Sequence, residues 1–183
     1  MSQLLIRSTA ITTPVVDGRT IVGLCVPFNK PAIVTDDGRN YYQEQFVPGA
    51  FTRAMQVPHR VNIRLSHSPD RIVRAGRAGA FREEAEGLVG EFVADDTPVG
   101  EALLARARSG EPVPLSIGHV PLRTEKRGGV VTRVSVHLDH VAATEERPQY
   151  ADARVLAVRA EQLDDTRTLA YWLAKYGDLL HSA

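Results

Sequence analysis

Residues 113–143 read VPLSIGHVPLRTEKRGGVVTRVSVHLDHVAA, and the fold turns on this stretch. Apolar and polar residues alternate on both sides of a charged turn that ends in two glycines, the pattern of a long antiparallel hairpin. Two strands are predicted, 113–124 and 130–143, joined by Glu125-Lys126-Arg127-Gly128-Gly129. Successive strand side chains point to opposite faces, so the sequence assigns each a side. Val113, Leu115 and Ile117 share one face, while Ser116 lies on the other with Pro114 and Gly118. In the second strand Val134, Val136 and Leu138 form an apolar row that His140 continues. His137 falls on the polar face with Arg133, Ser135 and Asp139.

Working outward, most of the chain has the same character. Residues 19–28 (RTIVGLCVPF) are β-rich, and 29–40 carry the proline, aspartates and glycine of a long loop. Residues 41–47 read as a strand ended by Pro48-Gly49, and 50–55 as a short helical turn. The stretch 60–67 (RVNIRLSH) alternates and is predicted as a strand whose apolar row, Val61, Ile63 and Leu65, continues into His67. Residues 76–83 and 88–94 flank Glu84-Ala85-Glu86-Gly87, a hairpin signal. A helix is expected from Thr97, which can cap it, with Pro98 in the first position and Ser109-Gly110 as its stop. Its apolar face is predicted to be Val99, Ala102, Leu103 and Ala107. Residues 153–159 read as a last strand. In the tail, Leu169, Trp172, Leu173, Tyr176 and Leu180 recur at helical spacing. The expected fold is mainly β with a few helices, a closed or half-closed β-barrel. Residues 1–160 form the domain and 161–183 an amphipathic tail.

Composition narrows the function classes. With 183 residues, 43% hydrophobic and 24% charged, the chain suits one soluble domain. Its 22 basic and 22 acidic residues cancel, so no net field favours nucleic acid or an anionic membrane. The first residues lack the apolar segment of a secretory leader, and no run reaches membrane-spanning length. Cys25 is the single cysteine, which rules out an internal disulfide and cysteine-clustered zinc. No cofactor or metal is expected: His59, His67 and Asp70 match no ligand spacing, and Pro58 and Pro69 interrupt them.

Three side chains are candidates for chemistry. A polar ring on a buried face needs a partner, and two inward histidines ending two strands, His67 and His140, can satisfy each other. Two separately satisfied core histidines fit the pattern as well. Ser116 lies beside Pro114 and Gly118, small neighbours that leave room for a substrate carbonyl. A serine in a strand is most often only that. The stretch is not a G-x-S-x-G elbow, since position 114 is proline.

The order of segments adds what each lacks alone. Phe46-Val47-Pro48-Gly49-Ala50-Phe51, Leu65-Ser66-His67, Glu86-Gly87-Leu88, the Asp96-Thr97 helix start, Leu115-Ser116-Ile117-Gly118, Leu138-Asp139-His140-Val141 and Pro148-Gln149-Tyr150 follow one another over about residues 20–160. In this order they resemble the prohead (capsid maturation) serine proteases of tailed bacteriophages, which are similar in fold to herpesvirus assemblin. The resemblance implies a serine endopeptidase with Ser116 as nucleophile, His67 as general base and His140 as the third member. Two positions depart from the pattern: the family usually has glutamate at the place of His140 and an aromatic residue at that of His119. Assemblin-type proteases use a second histidine as third member, which makes His140 chemically acceptable, while Asp139 is the competing candidate. The implied substrates are the major capsid protein with its scaffolding segment and the protease itself, inside the procapsid in the host cytoplasm. A homo-oligomer joined through the tail is a further expectation. Neither nucleic acid nor membrane is an expected partner. The competing readings are a non-catalytic capsid-assembly protein keeping the protease fold, and a β-barrel binding module with structural histidines.

Overall fold

Alternating sequence becomes sheet nearly everywhere it was expected. A computed structural model describes residues 18–36, 39–65, 74–144 and 149–159, and all of its elements lie in one compact unit, Arg19–Arg159. The strands are β1 (Thr20–Pro27), β2 (Ala32–Thr35), β3 (Tyr41–Phe46), β4 (Asn62–Arg64), β5 (Arg74–Glu84), β6 (Gly87–Ala94), β7 (Leu115–Arg127), β8 (Val130–Ala143) and β9 (Arg154–Arg159). Helix α1 (Thr52–Gln56) and a 3-10 turn (Pro58–Arg60) precede β4, and α2 (Pro98–Arg108) joins β6 to β7. The tail 161–183 and His67 lie outside the described residues.

The strands form one nine-stranded sheet in the order β2-β3-β8-β4-β5-β6-β1-β9, with β7 also paired to β8. The fold is therefore mainly β, as expected. The sheet is not closed, so the barrel expectation is met only in part. Among the described residues its ends meet through isolated bridges, Phe28 with Phe46 and Pro114 with Arg154. A closed barrel would need full ladders at both places.

β8 organises the site region because both of its edges are used. β7 runs antiparallel along one edge from Arg127–Val130 to Leu115–Ala143. The other edge is divided: β3 pairs parallel with 130–133 and β4 parallel with 140–142. Between them the chain from 47 to 50 supplies the missing bonds. Val136 N–H donates to the Ala50 carbonyl at 3.0 Å, and Val47 N–H to the Arg133 carbonyl at 3.4 Å. This gives Phe46-Val47-Pro48-Gly49-Ala50-Phe51 a physical role. Gly49 takes φ +89°, open to glycine and strained for other residues. Phe46 and Phe51 are fully buried with ring centroids 5.3 Å apart. The segment turns under the sheet and plugs the gap between β3 and β4.

Several expectations shift in detail. The predicted loop 29–40 contains β2, which pairs with β3 from Ala32–Glu44 to Thr35–Tyr41. The strand expected over 60–67 is cut at its start by the 3-10 turn, leaving Asn62–Arg64 among the described residues. The α2 cap forms as expected, with the Thr97 hydroxyl accepting from Gly100 N–H at 3.2 Å and Pro98 in the first turn. Of the expected face, Leu103 is buried and Val99 and Ala107 pack against the core, while Ala102 is exposed and Gly100 and Leu104 are buried beside Leu103. The helix has rolled toward Gly100, where a Cβ would overlap the Asp95 carbonyl.

Among the described residues, one carboxylate is buried in the core. Glu44 on β3 is 3% exposed. It accepts from Arg133 Nε on β8 at 2.6 Å and from the Tyr150 hydroxyl at 3.0 Å. Arg133 in turn donates to the Tyr42 hydroxyl and the Thr124 hydroxyl. Burial first, then the neighbouring Glu44 charge, pushes the Tyr150 phenol well above its ordinary range, so it remains a donor. The network ties β3, β7, β8 and the segment after β8 together. Removing one partner from a buried ion pair strands the other, at a cost of about 3–5 kcal/mol. Glu44→Gln is expected to lower unfolding stability by about that amount, and Tyr150→Phe by about 1–2 kcal/mol. Urea denaturation of the two variants beside the parent checks the ranking.

Candidate active site

Ser116 and His140 come together on adjacent strands by register. On β7 and β8, Ser116 is opposite Ala142 and Gly118 is opposite His140. Ser116 and His140 are thus diagonal neighbours on one face, a relation that spans roughly 7–8 Å between backbones and is bridgeable by long side chains. β4 extends the same rows, with Asn62 beside His140 and Arg64 beside Ala142. The other face of these strands carries the core: Leu115, Ile63, Val141 and Ala143 are buried there and Ile117 packs against them.

His140 reaches the Ser116 face because of one extra residue in β8. Gly118 pairs with His140 and the next residue, His119, pairs with Leu138, so Asp139 has no residue opposite. This is a β-bulge, and it resets the alternation. Val136 and Leu138 face the core before it; Val141 and Ala143 face the core after it. The expected apolar row therefore does not continue through His140, which stands on the opposite side from Leu138. The bulge also turns neighbouring residues toward one another. Asp139, expected to point away, accepts a hydrogen bond from His140 Nδ1 at 2.8 Å. The Arg64 guanidinium lies 3.5 Å from the same carboxylate oxygen.

The His140 ring is covered. The residue is 8% exposed, and its ring lies over Gly118, where a Cβ would overlap three ring atoms. Burial pushes the ring's pKa down, and the Asp139 hydrogen bond works against that. The same hydrogen bond holds the Asp139 carboxyl below its ordinary range. An ionised carboxylate can only accept, so the proton of the neutral ring sits on Nδ1 and Nε2 carries the lone pair. His137 is exposed, as parity predicted.

Support for this corner comes from α2 and from the ends of β7 and β8. Arg106 donates to the carbonyls of Ala143 and Thr144 at 3.0 and 2.9 Å. Thr144 N–H donates to Pro114, and Leu115 N–H to Ala153. These contacts fix the entry of β7 two residues before Ser116. Sequence reasoning missed Arg64 and Arg106, since an arginine on a strand or helix carries no sign of what it will touch. His119 packs edge-on against Phe46 at 5.1 Å. Its Nε2 is buried with no hydrogen-bond partner among the described residues, 4.0 Å from Glu44. Burial pushes its pKa down, with Glu44 opposing.

Of the three candidate residues, Ser116 and His140 share a face and His67 lies outside the described residues. Among the described residues no group of three His, Cys, Asp or Glu side chains could hold a metal, and no helix is long and apolar enough to cross a membrane.

Two outcomes follow from this packing. Gly118→Ala is expected to displace the His140 ring and to lower stability by about 1–3 kcal/mol through overpacking, which thermal unfolding with a crystal structure of the variant checks. His119 and His140 both have folded pKa values below the unfolded one. The unfolded chain then binds more protons as the medium turns acid, so stability is full above about pH 6.5 and falls as pH drops below it. His119→Phe is expected to remove part of that loss, seen as a smaller stability difference between pH 7.5 and 5.5 in urea titrations.

Comparison with curated proteins finds no match. A family model described as caudovirus prohead serine protease matches residues 8–168, most of the chain, and the chain belongs to that family.

Proposed function

From membership in a family of prohead serine proteases, we propose that this chain is the serine endopeptidase of procapsid maturation, with Ser116 as nucleophile, His67 as general base and His140 as the orienting third member. The substrates are the scaffolding segment of the capsid protein and the protease's own terminus, and the reaction takes place inside the procapsid in the host cytoplasm. The observation that supports the reading is that Ser116 and His140 stand on one face of the β7–β8 pair, beside β4, which ends three residues before His67 in the sequence.

In this reading the Ser116 hydroxyl attacks the scissile carbonyl while His67 takes its proton and delivers it to the leaving amine. His140 Nε2 accepts from the other nitrogen of His67 and fixes that ring's tautomer. A neutral imidazole stabilises the imidazolium formed in the transition state less than a carboxylate does. Disabling the third member of a serine protease triad costs roughly 10⁴-fold where it is a carboxylate, and the loss here is smaller. Slow turnover suffices when enzyme and substrate are enclosed together at high effective concentration.

Ser116→Ala is expected to abolish cleavage of co-expressed capsid protein, and His140→Ala to reduce it by less than about 10⁴-fold. A fluorophosphonate probe is expected to label Ser116 in the parent and nothing in Ser116→Ala. A folded parent that neither takes the label nor shortens the capsid protein would favour the alternative, an assembly protein that keeps the fold without the chemistry.

A further inference from the structure

We propose that Asp139 is a positioning residue that acts through His140, holding the ring with its proton on Nδ1, and that Arg64 in turn holds Asp139. The inference deepens the proposed reaction and rests on His140 being its third member.

Three observations carry it. The bulge places Asp139 and His140 on the same side of β8, which consecutive residues of a regular strand never share. The carboxylate then meets Nδ1 at 2.8 Å, and not Nε2. A neutral imidazole has one donor and one acceptor nitrogen, and a carboxylate assigns which is which. With Nδ1–H committed to Asp139, Nε2 is the acceptor. A ring that must accept an N–H from another histidine needs that tautomer.

Arg64 supplies the third observation. It stands on β4 one row from His140, with its side chain mostly buried and its Nη2 3.5 Å from the Asp139 oxygen that His140 contacts. Its Nε is buried without a hydrogen-bond partner among the described residues. A guanidinium so placed draws the carboxylate inward, although the Asp139 side chain is 54% exposed and would otherwise turn to water. The three groups form a chain from Arg64 to Asp139 to His140, built from two neighbouring strands.

The test uses the full chain with ¹⁵N-labelled histidine, whose long-range proton–nitrogen spectrum reads the tautomer of His140 directly. The parent at pH 7.5 is expected to show Nδ1–H alone. Asp139→Ala is expected to lose that tautomer and to lower kcat about tenfold with KM within about twofold. Asp139→Asn keeps an acceptor without the charge, so it is expected to keep the tautomer and fall between the two in kcat. Arg64→Gln is expected to weaken the tautomer preference. A parent ring protonated on Nε2, an unchanged tautomer in Asp139→Ala, or unchanged turnover once the tautomer is lost would each overturn the proposal. If the parent hydrolyses nothing, the proposed reaction fails, while the spectrum still decides whether Asp139 sets the ring. Asp139 is a surface residue, so its variants fold; a urea midpoint near that of the parent verifies this.

Discussion

The site depends on one unpaired residue in β8. Asp139 has no residue opposite on β7, and the alternation of side chains restarts after it. Without this extra residue, core-facing Leu138 would set the parity for the rest of the strand, and His140 would enter the hydrophobic core. A desolvated imidazole without a partner there would cost of the order of a lost buried hydrogen bond, about 1–3 kcal/mol. With it, the ring turns to the face of Ser116, covers Gly118 and meets a carboxylate. Bulges commonly re-aim side chains next to active sites, and here the bulged residue also becomes the partner of the one it re-aims.

That geometry persists because β8 cannot slide. Slipping the register by one residue would move Val136, Val141 and Ala143 out of the core. Its second edge is held at three places by different parts of the chain: β3, the Ala50 carbonyl and β4. The Glu44–Arg133 pair adds a polar pin near one end, and the two Arg106 bonds to backbone carbonyls add another near the opposite end. The buried pair is better understood as register control than as net stabilisation, because desolvating two charges offsets much of their attraction. Arg133 can meet Glu44 only when β3 lies parallel in its observed alignment.

Much of this was legible beforehand. Alternation located β7 and β8, β-rich composition β1, the Pro48-Gly49 stop β3 and the Glu84–Gly87 turn β5 and β6, while the Thr97-Pro98 start and Gly110 stop bounded α2, because these signals are local. What escaped was set by contacts far away in sequence. The run Val136-His137-Leu138-Asp139-His140 alternates without a break, and only the partner strand reveals that one residue is supernumerary. β2 hid between proline and aspartates: Ile33-Val34-Thr35 is β-branched, but the strand is only four residues long and its flanks read as loop. The face of α2 was misplaced by a fraction of a turn, since Gly100 permits an approach to backbone that no apolar count registers. Ser116 stood out through the order of motifs around it; its own neighbours said little.

The parallel pairing of β4 with β8 has a temporal side. Asn62 lies beside His140, so the chain must close a loop of nearly eighty residues before that contact exists. Such remote pairings form late in folding, since the entropy of closure is spent before the contact returns anything. During synthesis the first three strands can emerge, and the β5–β6 hairpin can form, while the β7–β8 pairing that sets Ser116 diagonal to His140 does not yet exist. On the proposed mechanism, reactivity waits until β8 is docked, because a partly folded chain has not yet brought the strands of Ser116 and His140 side by side.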